Sequence, residues 1–174
     1  MLTLGLTLPG VVIGLATDRD KPIEIVADYA EIDDIQGVAT YTGKVVVTQG
    51  SIRLTGDLMT VRYAKNNEVT EITLDGKPAR FQQRLDNSEE YMKGEGKKIE
   101  YYARNNLMVL IDKAKVTQRG QIYTGYRMEY DTKSGLFKIK GGGPGTGQQV
   151  RPTMVLPPQN SASGQDQKVP EKKE

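Results

Sequence analysis

A chain of 174 residues suits one domain with tails, and it is long enough to bury a core without disulfides. It contains no Cys, His or Trp, which excludes a thiolate nucleophile, an imidazole base, a Ser-His-Asp triad and a Cys/His metal site. Its 24 Lys+Arg against 22 Asp+Glu leave a net charge of +2, without the basic stripe of a nucleic-acid binder, and the lack of Cys leaves the redox compartment open.

The first sixteen residues, MLTLGLTLPGVVIGLA, are apolar and uncharged. They are short for a membrane span and read as the apolar region of a secretory signal, with Gly14 and Ala16 as the small residues of a cleavage site. A buried N-terminal strand or helix is the alternative. The folded domain is expected over 17–157. Its first strand is expected at Pro22-Ile23-Glu24-Ile25-Val26, which carries little to block pairing along its free edge.

From 22 to 140 no helical period is sustained. Short alternating segments of about five to seven residues, broken by Gly, Asn and Asp, give the strand signature. Lys44-Val45-Val46-Val47-Thr48 is rich in β-branched residues, and Thr70-Glu71-Ile72-Thr73-Leu74 alternates polar with apolar. The glycines at 43, 50, 56, 76, 94, 96, 120 and 125 are expected where strands turn sharply.

The pattern is used twice. Val47-Thr48-Gln49 recurs as Val116-Thr117-Gln118, Thr55-Gly56 as Thr124-Gly125, Lys44 as Lys113 and Met59 as Met128, all at an offset of 69 residues. Such repeats mean stacked units, none of which buries its apolar face alone. Alignment of the copies also sets the facing. Val46 pairs with Lys115 and points outward, whereas Val45 and Val47, paired with Ala114 and Val116, point inward. The pairs Ala30/Ile99, Ile32/Tyr101, Leu54/Tyr123, Met59/Met128 and Val61/Tyr130 point inward by the same logic. The expected fold is all-β: a twisted antiparallel jelly roll of stacked short strands, with two facing sheets and open edges.

Candidate chemistry is sparse. Asp33-Asp34 and Glu89-Glu90 are carboxylate pairs, but adjacent acids on a turn do not make the cleft of a glycosidase. Asp131-Thr132-Lys133-Ser134-Gly135 reads as a hairpin turn rather than a Ca²⁺ loop. The run Gly141 to Gly147 lacks the Gly-Lys-Ser/Thr of a phosphate loop and reads as a flexible connection before a last strand around Val150 to Leu156. Residues 158–174 are polar and charged and are expected to be a disordered tail. No catalytic group, cofactor or metal is expected.

Three segments carry a family resemblance: Pro22-Ile23-Glu24-Ile25-Val26-Ala27-Asp28, Tyr41-Thr42-Gly43-Lys44-Val45-Val46-Val47-Thr48-Gln49-Gly50, and Gly76-Lys77-Pro78-Ala79-Arg80-Phe81. Over roughly 18–156 the chain resembles the LptA (OstA-like) family of periplasmic lipopolysaccharide transport proteins. The resemblance implies a twisted jelly roll, open along one side, whose apolar interior holds lipopolysaccharide acyl chains. It implies a periplasmic location, head-to-tail self-association, an inner-membrane LptC-like partner at the N-terminal edge and an outer-membrane LptD-like partner at the C-terminal edge. The partner edge is then Pro22, Ile23, Glu24, Ile25 and Val26. The lipid-facing set is Ile23, Ile25, Ile32, Val45, Val47, Leu54, Met59, Val61, Phe81, Ile99, Tyr101, Val116, Tyr123, Met128 and Tyr130. The rival reading is a structural β-solenoid or filament module with a filled core and no lipid.

Overall fold

A computed structural model describes residues 18, 20–85, 87–142 and 151–157. The expected leader and tail lie outside the described residues, as does most of the glycine-rich connection. Ten strands follow in order: β1 (Glu24–Val26), β2 (Tyr29–Asp33), β3 (Val38–Gln49), β4 (Ile52–Tyr63), β5 (Val69–Arg84), β6 (Tyr91–Tyr102), β7 (Leu107–Gln118), β8 (Gln121–Asp131), β9 (Phe137–Lys140) and β10 (Thr153–Val155). A 3-10 turn, Ala103–Asn105, joins β6 to β7.

All ten strands form one antiparallel sheet in the order β1-β3-β4-β5-β6-β7-β8-β10, with β2 also on β3 and β9 also on β8. The expected two facing sheets are thus two halves of one sheet. The central strands run 11 to 16 residues, not five to seven. The discrepancy has one cause. Gly43, Gly56, Gly76, Gly96 and Gly125 lie inside strands, at or beside register shifts, rather than at turns. Of the eight glycines expected at sharp turns, Gly50 and Gly120 sit in hairpin tips with positive φ, and Gly94 lies in a regular ladder.

The register shifts line up. They fall between Thr42 and Val45 in β3, between Thr55 and Leu58 in β4, between Asp75 and Ala79 in β5, between Glu95 and Lys98 in β6, and between Ile111 and Ala114 in β7. Bulges bend a strand and increase its twist, so this line is a crease along which the sheet folds on itself. Lys44 and its repeat mate Lys113 both take the left-handed conformation there, with φ of 45° and 56°. One half of the sheet carries the hairpin tips β3–β4, β5–β6 and β7–β8. The other carries the tips β2–β3, β4–β5, β6–β7 and β8–β9. The two rows of tips form the rims of a mouth opposite the crease.

The 69-residue repeat maps onto whole strands. β3 and β7 begin and end 69 apart, and β4 and β8 begin 69 apart. The outer strands are broken versions of the inner ones. β1 and β2 pair with successive parts of β3, as β10 and β9 do with β8.

Candidate functional site

Directly opposed residues share a face of the sheet, so pairing sorts the inward side chains into rows that cross every strand. In the half bearing β1 and β10 one row runs Ile25, Val47, Leu54, Phe81, Gly94, Val116, Tyr123, Met154. In the other half one row runs Ile32, Ala39, Val61, Ile72, Tyr101, Met108, Tyr130, Phe137. A second row there runs Ala30, Tyr41, Met59, Leu74, Ile99, Leu110, Met128, Ile139. Val45 lies beside the crease, opposite Gly56.

These rows meet in one apolar cluster. Met59 is 1 % exposed and Met128 0 %. Glycine makes the approach possible: a Cβ on Gly56 would stand 2.6 Å from Leu74 Cδ1, and one on Gly125 would stand 2.6 Å from Ile139 Cγ2. At the C-terminal end, Tyr123 of one half stacks on Phe137 of the other at 6.2 Å, and Phe137 stacks on Tyr130 at 4.3 Å. Burial and the neighbouring Tyr41 push the Tyr63 hydroxyl pKa up, as expected for a phenol at an apolar rim.

Of the residues expected inside, Val45, Val47, Met59, Val61, Phe81, Ile99, Val116, Met128 and Tyr130 are buried, and Ile25, Leu54, Tyr101 and Tyr123 are partly buried against them. Two are corrected. Ile32 is 64 % exposed, because β2 is an edge and only Ala39 covers that end of the row. Ile23 is 58 % exposed and, like Pro22, precedes β1, which begins at Glu24. Val26, on the outward face of β1, is also exposed. Sequence reasoning missed Tyr41, Ile72, Leu74, Leu110, Phe137 and Ile139. The repeat held a signal for two pairs of inward positions, since Ala39 aligns with Met108 and Tyr41 with Leu110 at the same offset.

At the N-terminal end a buried acid holds the rim. Asp18, 3 % exposed, accepts hydrogen bonds from the Ser51 amide at 2.8 Å and the Ser51 hydroxyl at 2.6 Å. Ser51 Oγ in turn accepts from the Arg84 amide at 3.1 Å, so one carboxylate ties two hairpin tips to the start of the domain. Gln49 Nε2 adds a bond to the Lys21 carbonyl at 3.1 Å.

The carboxylate pairs serve turns. Asp33 accepts from the Gln36 amide at 2.9 Å, and Glu89 lies 3.6 Å from Arg84 on the surface. Asp131 accepts from the Lys133 and Ser134 amides, and the Ser134 bond leads in holding its carboxyl below the usual range. Among the described residues no three His, Cys, Asp or Glu come together as a metal site.

Comparison with known proteins adds the family. The family described as LptA/(LptD N-terminal domain) LPS transport protein matches residues 24–136, from β1 to the turn after β8. The chain belongs to this family. It is 41 % identical over 169 residues to the lipopolysaccharide export system protein LptH of Pseudomonas aeruginosa, covering 92 % of this chain and 95 % of that protein. It is 32 % identical over 146 residues to LptA of Haemophilus influenzae, covering 83 % and 81 %. The crystal structure of Pseudomonas aeruginosa LptH, the LptA-homologous periplasmic component of that organism's lipopolysaccharide transport device, superposes with a TM-score of 0.73. It covers 81 % of this chain and 99 % of that one. The crease and the inward rows described above are therefore features of an LptA-family jelly roll.

Proposed function

We propose that this chain binds lipopolysaccharide through its apolar interior and passes it across the periplasm as one unit of an end-to-end jelly-roll bridge from inner to outer membrane. The observation that carries this is the set of three inward rows, which cross the sheet from edge to edge without a charged side chain. With neighbouring strands about 4.8 Å apart, an eight-position row spans about 34 Å. Acyl chains laid along a row exchange water for apolar contact at about 25 cal/mol per Å², and movement along it meets no charge to desolvate. The rows pack on one another across the fold, so an entering chain parts the two halves at the mouth, and the creased line of bulges is where they flex.

The edges supply the joins. β1 and β10 each pair on one side only among the described residues, and edge strands accept further strands through main-chain hydrogen bonds. The N-terminal edge then meets an inner-membrane LptC-like protein. The C-terminal edge meets an LptD-like protein or the N-terminal edge of another copy. Exposed Ile23, Val26 and Ile32 at one end, and Met154, Val155 and Leu156 at the other, are apolar side chains that such joins would cover.

The test is site-specific photocrosslinking in whole cells. A photoreactive residue at Ile25, Phe81 or Met128 is expected to capture lipopolysaccharide, and one at outward-facing Thr60, in the other half of the sheet, is not. Inward positions that capture no lipid would leave the packed structural module as the better reading.

A further inference from the structure

The outer face of the half bearing β1 and β10 holds a second candidate site. Two outward rows, Arg53-Gln82-Lys93-Thr117 and Thr55-Arg80-Glu95-Lys115, cross strands β4 to β7. Their side chains line a concave groove of about 330 Å³. Four cations there face one acid, and the acid is loosely engaged: Glu95 lies 3.7 Å from Arg80 and 3.9 Å from Lys115. Arg53 and Lys93 pair with no acid among the described residues. Some other cations of the outer surface are matched, as in Arg62–Glu71, Lys98–Asp75 and the Glu129 pair with Arg127 and Lys140. Like charges on neighbouring strands repel, so this groove keeps a positive field that a bound anion would relieve.

Its position relates it to the interior. Arg53 is the second residue of β4 and Lys93 the third of β6, so both lie within about 10 Å of the hairpin tips that form the rim. Each is flanked by an inward neighbour, Leu54 beside Arg53 and Met92 beside Lys93. A molecule with apolar tails inside the mouth reaches this groove by bending its head over the rim.

We infer that the groove binds the anionic, phosphate-bearing saccharide head of the same glycolipid whose acyl chains occupy the interior. This rests on the carriage reading above and adds a polar subsite to it. Guanidinium and ammonium donors suit phosphoryl oxygens, Arg53 and Arg80 as bidentate forks and Lys93 and Lys115 as point charges.

The experiment compares the full chain with an Arg53→Gln/Lys93→Gln double variant, both positions being exposed. Binding is measured for lipopolysaccharide and for the same lipopolysaccharide after enzymatic dephosphorylation. The variant is expected to bind the intact lipid about tenfold more weakly, with a shallower salt dependence, and the dephosphorylated lipid as well as wild type does. Unchanged binding of the intact lipid, or equal loss for both lipids, would overturn the head subsite alone. Wild type that takes up neither lipid would overturn the carriage reading and this inference with it. Inorganic phosphate alone shifting the Arg53 and Lys93 resonances as strongly as the lipid does would mark a general anion patch and overturn the assignment.

Discussion

At the scale of single residues, the fold depends on where side chains are missing as much as on where they are large. Gly56 faces the opposite half, and its absent Cβ leaves room for Leu74. Gly56→Ala is expected to lower stability by about 1–3 kcal/mol through overpacking. Thr55→Ala, one residue away on the outer face, should change it by less than about 0.5 kcal/mol. Denaturant midpoints compare the two, and equal effects would refute the close-packing role. Facing was legible in the sequence because two copies could be compared: Val46 against Lys115 marked the outside, and Met59 against Met128 the inside. At Ile32 the comparison gave the facing but not the burial, since the repeat says which way a side chain points but not whether a neighbouring strand covers it. The basic outer groove was also illegible. Arg53, Arg80, Lys93 and Lys115 are scattered along the chain, and only cross-strand register gathers them. Val109 shows a different limit. It is fully buried although it lies outside the core cluster, on the outer face between Glu100 and Glu129.

At the scale of elements, strand direction and turn chemistry were readable, but strand length was not. A glycine between two apolar runs looks the same whether it ends a strand or bends one. Gly50 ends β3, whereas Gly43 and Gly56 only crease their strands. The discriminating clue was the repeat of Lys44 at Lys113, residues that have no place in a tight glycine turn but share one bulge geometry. The tip of the β3–β4 hairpin is held from outside through Ser51. Ser51→Ala removes a donor to Asp18 and the acceptor of the Arg84 amide, and is expected to cost about 1–3 kcal/mol. Hydrogen exchange of the Ser51 and Arg84 amides should accelerate in this variant, while amides in β7 keep their protection. Uniform acceleration across the sheet would mean the latch acts on global stability alone.

At the scale of the whole molecule, charge sets the pH range over which the fold is stable. The bond from Arg127, seconded by Lys140, holds the Glu129 carboxyl below its ordinary value, and backbone amides do the same for Asp131. A depressed folded pKa means stability that is present above the unfolded value and lost as pH falls through the folded one. At the alkaline end, Asp112 raises the Lys97 pKa, and a hydrogen bond to Glu100 raises that of Tyr102. Their contribution is present below the unfolded values and lost as pH rises through the folded ones. Urea midpoints are therefore expected to hold steady through neutral pH and to fall below the ordinary carboxylate range, with a shallower acid limb in Glu129→Gln. An unaltered acid limb in that variant would show that Glu129 plays no part in acid sensitivity.

The crease sets the grammar by which such a molecule can change length. Because each bulge sits beside the next strand's bulge, a residue gained or lost inside one strand would throw its half of the sheet out of phase with its neighbours. A residue added at a hairpin tip away from the Asp18–Ser51–Arg84 latch would leave the strand register intact. Growth by a complete 69-residue cassette would instead preserve the phase and add four strands, about 19 Å of continuous trough. The doubled sequence thus amounts to a ruler whose smallest marking is the cassette, and span can be adjusted in steps of that size without inventing a new junction.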